Sequence, residues 1–394
     1  MSHARLRYVK IALLSDCYLP RLGGIEVQVH DLAARLIGRG HEVVVLTATP
    51  GAHGERGGYV DEVDGVAVHR LALRLPFELP VNPLAPRLLR QRLAEGEFDV
   101  AHIHMGVVSP FAVDCARVAT DMGLPTAMTW HCMLGALEPV FRATRHVRSW
   151  ASRGVAMSAV SAVAAEPLQR IVGVDSVVNV LCNGIDVDRW ASPADEVPAR
   201  KAGEGVRVVT AMRLAARKRP MPLLRIMVRV REMVPTEVPI SLEILGDGPD
   251  RARLQRFIEA HDMRGWVRLT GRVTRDEVRA TYSAADIYLA PAPLESFGIA
   301  ALEARTVGLP VVGRLGSGLD EFVKDGLNGY LAADDDAMAG SIARLIIDHE
   351  LRGSMAAYSR STPPEQSWAR ILDAAEAEYR RAIALAGSAR ESGR

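Results

Sequence analysis

Two glutamates, Glu295 and Glu303, are the side chains whose spacing most clearly predicts chemistry in this sequence. Seven residues separate them, and they lie where an apolar, strand-like run gives way to a helical pattern. Glu295 is therefore expected in the loop at the carboxyl end of a strand, where open α/β sheets bind ligands, and Glu303 about two helical turns further on. We expect the helix to begin near Phe297 and to point its first backbone N–H groups at an anion, those of Phe297, Gly298 and Ile299. A sugar diphosphate would satisfy this arrangement, although two glutamates on a solvated helix face would give the same pattern.

A basic segment, Arg213-Leu-Ala-Ala-Arg217-Lys218-Arg219-Pro220, follows a second strand-like run. It brings up to four cations to the start of a helix, and Pro220 suits the first position of that helix. A planar guanidinium group and an ammonium group together could stabilise a pyrophosphate leaving group without a metal ion. The alternative is a basic turn with no such role.

A glycine pair, Gly23-Gly24, follows the first strand-like run and precedes a segment with an apolar helical face. A glycine-rich loop at a helix N-terminus lets the backbone approach an anion closely. The same pair could simply join a strand to a helix, so it predicts an anion site only in combination with the other two motifs.

The elements that must position these residues alternate between short runs rich in valine, isoleucine and leucine and longer segments of helical period. Such alternation is typical of βα units and of a parallel sheet covered on both faces. The pattern occurs twice. The predicted strands are Val9–Leu14, Glu42–Thr47, a hairpin-like Gly65–Leu71, Val100–His104 and Thr126–Trp130 in the first half, and Val206–Met212, Ser241–Leu245, Val267–Leu269, Ile287–Ala290 and Pro310–Val312 in the second.

The predicted domain boundary lies at residues 191–205, which hold prolines, glycines and mixed charges without apolar periodicity. This composition is typical of an interdomain linker. Residues 1–190 would form the first domain and residues 206–365 the second. Residues 366–386 carry an apolar helical stripe, and we expect this helix to cross back and pack on the first domain. We expect residues 387–394 to form a disordered tail.

The 394 residues are enough for two domains of ordinary size. A hydrophobic content of 48% with 24% charged residues is typical of a globular protein, and a net charge of +1 argues against nucleic acid as a partner. The four cysteines show no metal-ligand spacing, and no signal peptide or membrane-spanning run is recognised. We therefore expect a cytoplasmic protein whose membrane contact, if any, is peripheral to the inner face. The oligomeric state is not predicted.

Together, the motifs resemble those of the retaining GT-B glycosyltransferases that share the E-x7-E motif, of the group 1 or family 4 type. Within that family the sequence is similar to the actinobacterial phosphatidyl-inositol mannosyltransferases and to the inositol or aminocyclitol glycosyltransferases. The resemblance spans essentially the whole chain. It implies an α/β fold with two Rossmann-like, doubly wound parallel-sheet domains that face a cleft. The chain departs from the family pattern at Met212, where a glycine is common, and at Lys218-Arg219-Pro220, where the family has Lys-Gly.

By this resemblance the second domain would bind a sugar nucleotide. Arg213 and Lys218 would hold its diphosphate, Glu303 its ribose hydroxyls and Glu295 the transferred sugar near the 3- and 4-hydroxyls. His131 would contact the sugar near the 6-hydroxyl, which makes the catalytic set His131, Glu295, Arg213 and Lys218. The other donor-binding residues would be Gly23, Gly24, Arg272, Ser296, Phe297, Gly298 and Ile299. The acceptor side would be lined by Glu26, His104 and Thr129.

The resemblance further implies a hexosyltransferase that moves a hexose or N-acetylhexosamine from a UDP- or GDP-sugar donor to an acceptor hydroxyl. No carboxylate is placed as a nucleophile, which implies front-face transfer with retention, and no metal ion or other cofactor is expected. The run Asp334-Asp335-Asp336 is interpreted as a solvated loop rather than a metal site. His102-x-His104 is interpreted as a pair of strand residues that line the cleft.

Two acceptor classes remain open. The small and polar side chains predicted on the first domain, together with Glu26 and Asp16, favour a free cyclitol or aminocyclitol. The alternative is a phosphatidylinositol or other lipid-linked acceptor at a membrane surface, to which two groups of arginines could bind, Arg87, Arg90 and Arg92 and Arg142, Arg145 and Arg148. An inverting transferase or sugar-phosphate epimerase of the same fold is a further alternative, and a non-catalytic nucleotide-sugar-binding protein is the alternative of another class.

Overall fold

The computed structural model describes residues 8–21, 23–73, 82, 84–191 and 205–391. The chain divides into two compact units. Unit 1 comprises Met1–Gly184 and Trp368–Arg394, and unit 2 comprises Ile185–Ser367. The chain therefore leaves unit 1 at Gly184 and returns to it at Trp368.

Unit 1 is built on an eight-stranded sheet. Its strands are β1 (Lys10–Ser15), β2 (Glu42–Thr47), β3 (Tyr59–Val63), β4 (Val66–Arg70), β5 (Val100–Met105), β6 (Thr126–Trp130), β7 (Ala156–Ala159) and β8 (Val178–Val180). Its helices are α1 (Gly24–Gly38), α2 (Ala85–Gly96), α3 (Pro110–Asp121), α4 (Glu138–Thr144), α5 (His146–Ser152), α6 (Ala162–Val172) and α14 (Trp368–Glu391). The strand order is β3-β4-β2-β1-β5-β6-β7-β8, in which β3 pairs with β4 antiparallel and the other neighbours pair in parallel.

The central strands of unit 1 are buried throughout because helices cover both faces of the sheet. All residues of β5 and β6 are buried. The predicted strands and the hairpin-like segment of the first half are confirmed, whereas β3, β7 and β8 were not predicted.

The C-terminal helix α14 packs on the sheet of unit 1, as the sequence predicted. Ile371, Ala375 and Tyr379 lie in one buried cluster with side chains of α1 and the central strands. The helix continues to Glu391. The prediction of a disordered tail from residue 387 onward was therefore wrong for residues 387–391. The helix continues beyond the apolar residues that pack on the sheet, and these were the only sequence signal for it.

Unit 2 is built on a six-stranded, all-parallel sheet in the order β11-β10-β9-β12-β13-β14. Its strands are β9 (Val206–Ala211), β10 (Ile240–Leu245), β11 (Val267–Gly271), β12 (Ile287–Ala290), β13 (Val311–Arg314) and β14 (Gly329–Ala332). Its helices are α7 (Val187–Trp190), α8 (Pro220–Met233), α9 (Arg251–Ala260), α10 (Arg275–Ser283), α11 (Ile299–Val307), α12 (Asp335–Ile347) and α13 (His349–Ser361). The strands predicted for the second half are confirmed, and β14 was not predicted.

Unit 2 begins earlier in the chain than the predicted boundary. The Ile185 N–H group donates to the Gln366 carbonyl over 2.9 Å, and the Arg189 guanidinium lies 2.8 Å from the Asp276 carboxylate. Both contacts tie the segment that contains α7 to unit 2. Residues 192–204 of the predicted linker lie outside the described residues.

Within the described ranges, no helix is long and apolar enough to cross a lipid bilayer.

Candidate active site

The strand order of unit 2 contains one point at which the direction of progression reverses. The chain proceeds from β9 to β10 and β11 on one side, and from β12 to β13 and β14 on the other. In open α/β sheets, ligands bind in the crevice outside the carboxyl ends of the strands at such a point. The loops after β9 and β12, which carry Lys218 and Glu295, both leave the sheet there.

Lys218 and Glu295 form an ion pair across this point. The distance from Lys218 Nζ to Glu295 Oε2 is 2.5 Å, and the two side chains are 30% and 18% exposed. The prediction placed both residues at one site, and the structure brings them together although they are 77 positions apart. Each side chain is thus the counterion of the other when no ligand is bound.

The start of α11 differs from the prediction. Gly298, with a φ of +90°, precedes the helix, which begins at Ile299 instead of near Phe297. The N–H groups of the first turn, which lack partners within a helix, are therefore those of residues 299–301. The Phe297 side chain is buried and packs against Phe322, with 5.6 Å between ring centroids, so only its backbone is available to a ligand.

Glu303 lies about one turn into α11, whereas the sequence predicted about two turns. The difference arises because the helix begins later than expected. The charges of both glutamates affect the pKa of Tyr288, which is buried in β12. Burial raises the pKa of the Tyr288 hydroxyl well above its usual range, and the carboxylates of Glu295 and Glu303 raise it further. The two acidic residues of the motif therefore both act electrostatically on one buried tyrosine.

Three glycines that the sequence interpretation did not single out bring backbone segments of the site together. A Cβ at Gly246 would lie 2.1 Å from the Met212 carbonyl oxygen, and one at Gly318 would lie 2.2 Å from the Ser296 carbonyl oxygen. A Cβ at Gly248 would likewise meet a carbonyl oxygen, at 2.4 Å. Only glycine permits such approach. The signal was present in the sequence as Gly-Asp-Gly directly after β10.

The two arginines predicted to bind the donor, Arg213 and Arg272, are exposed. Arg213 follows β9 and Arg272 follows β11. The Gly246 N–H group donates to the Gly271 carbonyl over 2.7 Å, which ties the turn before Arg272 to the end of β10. Because β10 lies between β11 and β9, Arg272 stands two strands away from the strand that precedes Arg213.

Arg219 does not extend the cationic cluster, contrary to the interpretation of the basic segment. Its two terminal nitrogens each lie 2.8 Å from an oxygen of Asp335. Arg314 Nη1 lies 2.8 Å from the same carboxylate. Hydrogen bonding from Arg219, aided by the charge of Arg314, holds the pKa of Asp335 below its usual range.

The acidic run at residues 334–336 is not a solvated loop, so that interpretation was wrong. Asp334 accepts the Ala337 N–H group over 2.8 Å and caps α12. Asp335 and Asp336 are in the first turn of that helix, and Asp336 pairs with Arg229. Within the described ranges, no group of three or more His, Cys, Asp or Glu side chains could hold a metal ion.

In unit 1 the predicted residues His104 and His131 are in contact. His104 Nδ1 lies 2.9 Å from His131 Nε2. Burial lowers the pKa of His131 to about 4, and burial with the neighbouring imidazoles lowers that of His104 well below its usual range. Both rings are thus neutral near pH 7, and one donates its N–H to the other.

Thr129 belongs to a second part of this network. Its hydroxyl lies 2.7 Å from His102 Nε2 and 2.8 Å from the Ser158 hydroxyl, and His102 Nδ1 lies 3.0 Å from the Tyr379 hydroxyl. The Thr129 hydroxyl is therefore engaged in hydrogen bonds with His102 and Ser158 and is not free to bind an acceptor. Ser158 and Tyr379 were missed because no local pattern connects them to the site. His102, His104, Thr129 and His131 line one pocket of unit 1. His104 Nε2, which is buried, has no hydrogen-bond partner among the described residues.

The glycine loop of unit 1 is covered by an acidic side chain. A Cβ at Gly23 would lie 2.4 Å from Glu26 Oε2. Glu26 is buried in the first turn of α1, which begins at Gly24, and its Oε1 lies 3.2 Å from Arg21 Nε. The carboxylate thus occupies the N-terminus of α1, where the sequence predicted that a ligand anion could be approached.

Asp16 is a structural residue. Its carboxylate accepts the N–H groups of Phe111 and Ala112 over 3.1 Å each and so holds the start of α3. Burial raises its pKa to about 6. The interpretation that Asp16 favours an amine-bearing acceptor is therefore not supported.

Solved structures with the same architecture include a UDP and glucose complex of Anabaena Alr3699/HepE, with a TM-score of 0.71 at 18% identity, which covers 94% of this chain and 99% of that chain. Another is sucrose-phosphate synthase from Thermosynechococcus elongatus, with a TM-score of 0.75 at 18% identity, which covers 96% of this chain and 100% of that chain. At these identities the likeness shows the fold. The family model of Glycosyltransferase Family 4 matches residues 22–189, and that of Glycosyl transferases group 1 matches residues 193–362. This chain belongs to the family 4, group 1 glycosyltransferases and has the GT-B fold.

Two curated relatives of this glycosyltransferase span most of its length. The Schizosaccharomyces pombe phosphatidylinositol N-acetylglucosaminyltransferase gpi3 subunit is 24% identical over 93% of this chain and 79% of that protein. The Mycobacterium tuberculosis GDP-mannose-dependent alpha-(1-6)-phosphatidylinositol monomannoside mannosyltransferase is 26% identical over 89% of this chain and 92% of that protein. The glycosyltransferase is thus an enzyme that uses a nucleotide sugar.

Proposed function

We propose that this glycosyltransferase moves a hexose or N-acetylhexosamine from a UDP- or GDP-sugar to an inositol hydroxyl of a phosphatidylinositol-type lipid. The observation that carries the proposal is the pair of relatives that span 93% and 89% of the chain. Their names give two different sugars, N-acetylglucosamine and mannose, and one class of acceptor. Because the acceptor is common to both and the sugar is not, the lipid-linked alternative is better supported than the free cyclitol that the sequence favoured.

One largely exposed segment of unit 1, residues 137–148, supports contact with an anionic membrane. Leu137 and Val140, at the start of α4, are 41% and 54% exposed. Arg142 at the end of α4 and Arg148 in α5 are also exposed. Apolar side chains beside arginines can bind the interface between headgroups and acyl chains.

The other group of arginines suits this role less well. In α2, Arg92 donates to the Gly58 carbonyl over 3.0 Å and lies 3.3 Å from Glu95. Arg87 and Arg90 alone remain exposed. The membrane-facing surface is therefore assigned to α4 and α5.

The proposed reaction uses unit 2 for the donor. Arg213 and Lys218 hold the diphosphate, Glu303 the ribose and Glu295 the sugar, while the neutral His131 exchanges hydrogen bonds with a sugar hydroxyl. The inositol oxygen bonds to the anomeric carbon on the face from which the diphosphate departs. The anomeric carbon–oxygen bond to the diphosphate breaks, and a phosphate oxygen takes the hydroxyl proton. Two cations offset the developing charge, so the proposal requires no metal ion.

The test supplies UDP-N-acetylglucosamine or GDP-mannose with two acceptors, phosphatidylinositol in vesicles and free myo-inositol. Transfer to the lipid, with retention of the anomeric configuration in the product, is the expected result. Transfer to free myo-inositol at an equal or greater rate would contradict the lipid proposal and restore the cyclitol as acceptor.

The membrane surface has its own test, co-sedimentation with vesicles of phosphatidylserine and phosphatidylcholine. Each surface arginine contributes roughly 1 kcal/mol to such binding, so Arg142→Ala with Arg148→Ala should weaken it about 30-fold. The matched control is Arg253→Ala with Arg256→Ala, which removes the same charge from exposed positions of α9. Equal weakening in both double variants would show that only the total charge matters and would contradict the assigned surface.

A further inference from the structure

Arg219 has a backbone conformation that is unusual for its residue type. It lies between Lys218 and Pro220 with φ +58° and ψ +42°, in the left-handed region. For a residue with a side chain this conformation is roughly 5- to 30-fold less populated than the right-handed one. The following proline disfavours the right-handed alternative, so the residue cannot relax into it easily. This is one of the two places where the sequence departs from the family pattern, which has glycine after the lysine.

The side chain of Arg219 is held on two sides. Its guanidinium forms two parallel contacts of 2.8 Å with Asp335 at the start of α12, and its Nη1 lies 3.4 Å from the Pro291 carbonyl. Arg314 fixes the carboxylate in turn, with one nitrogen 2.8 Å from Asp335 and the other 2.7 Å from the Ala333 carbonyl. A two-point contact between guanidinium and carboxylate restricts orientation as well as distance.

These contacts join the two loops of the candidate donor site. Lys218 immediately precedes Arg219, and Pro291 is the first residue after β12 in the loop that carries Glu295. The Lys218 ammonium then lies 2.5 Å from the Glu295 carboxylate. The backbone turn at Arg219 sets the orientation of the segment that carries Lys218 relative to α8.

We propose that Arg219 and Asp335 are positioning residues, whose ion pair stabilises a left-handed turn that glycine would adopt freely and so holds Lys218 at the donor diphosphate. The inference rests on the proposed donor site. It also gives Arg219 a role different from the other cations of its segment. Asp335 keeps the Arg219 guanidinium occupied, which leaves for the ligand Arg213 and, once it is released from Glu295, Lys218.

The experiment measures the Kd of UDP and of GDP by calorimetry for five variants of the full chain. Arg219→Ala removes the pair but keeps a side chain in the left-handed turn, and we expect it to weaken binding about 10-fold. Arg219→Gly also removes the pair but relieves the turn, and binding should stay within about threefold of wild type. Asp335→Ala should weaken binding about fivefold, and in the Arg219→Gly background the same change should have almost no effect.

The matched control is Asp336→Ala. Asp336 is the next residue of the same helical turn, but its partner is Arg229 on the exposed face of α8. Its loss changes the charge of the α12 N-terminus by the same amount and should leave both Kd values unchanged. The free energy of unfolding in urea, measured for each variant, separates lost stability from lost positioning.

Equal loss of nucleotide binding in the alanine and glycine variants would overturn the inference, because the guanidinium would then contribute directly. Persistence of the Asp335→Ala effect in the glycine background would overturn it as well. Wild-type protein that binds neither UDP nor GDP would contradict the donor site itself, and the inference with it. Binding by wild type without rescue by glycine would contradict the inference alone.

Discussion

Replacing Glu295 by glutamine should strengthen the binding of a free nucleoside diphosphate while it lowers turnover. Lys218 Nζ lies 2.5 Å from Glu295 Oε2, so a diphosphate that takes this ammonium must displace its present partner. The pair is partly exposed, and such pairs contribute about 1 kcal/mol at most. Removing the carboxylate charge should therefore lower the Kd of UDP or GDP up to about fivefold.

Turnover should fall although nucleotide binding becomes stronger. In the proposed reaction the Glu295 carboxylate holds the transferred sugar as the bond to the diphosphate breaks. Loss of one such contact typically raises a barrier by about 2.7–4 kcal/mol, which corresponds to a roughly 100- to 1,000-fold lower kcat. Glutamine retains the shape of the side chain, so the change reports on charge and hydrogen bonding.

Calorimetry with UDP and GDP gives the affinities, and release of nucleotide from the donor gives the turnover. Two comparison variants fix the interpretation. Lys218→Ala should weaken both quantities, and Glu303→Gln should weaken nucleotide binding because its proposed partner is the ribose. If Glu295→Gln weakened UDP and GDP as Lys218→Ala does, the ion pair would not compete with the donor and the reasoning would be refuted.

Three further predictions concern Arg213, the requirement for a metal ion, and Asp16. Arg213→Ala should lower kcat about 100- to 1,000-fold with an unchanged free energy of unfolding, because the side chain is exposed, and unaltered turnover would remove it from the diphosphate site. Transfer should continue in excess EDTA, and full loss that Mg²⁺ or Mn²⁺ restores would show a metal requirement. Because burial raises the pKa of Asp16 to about 6 from 3.8, its stabilising contribution is present below pH 4 and is lost as the pH rises through 6. The free energy of unfolding of Asp16→Asn relative to wild type should therefore rise by roughly 2 kcal/mol between pH 4 and pH 7 in urea titrations, and a difference independent of pH would contradict the raised pKa.

Most of the sheets could be predicted because strands buried on both faces are continuous apolar runs. The strands that were missed are short and lack that pattern. β7 reads Ala-Met-Ser-Ala, in which alanine and serine give no preference for a strand, and β8 contains only three residues. Their place in the sheet comes from pairing with β6 and with each other, which is tertiary context.

The candidate site was predictable where a residue type and its strand end were sufficient. Lys218 and Glu295 could be placed together because both follow strands of one parallel sheet. The partner of Arg219 could not, since Asp335 is 116 positions away in a run that resembles a solvated loop. The same holds for Tyr379, whose hydroxyl reaches His102 across 277 positions.

The return of the chain to unit 1 at Trp368 imposes an order on biosynthesis. Unit 2 is continuous in sequence and encloses its own apolar core, so it can fold once Ser367 has been made. Unit 1 has by then been translated except for α14, and the face of its sheet that receives Ile371, Ala375 and Tyr379 is still uncovered. A nascent chain at this stage holds a finished unit 2 and an unfinished unit 1, whose apolar surface is exposed to chaperones and proteases until α14 emerges.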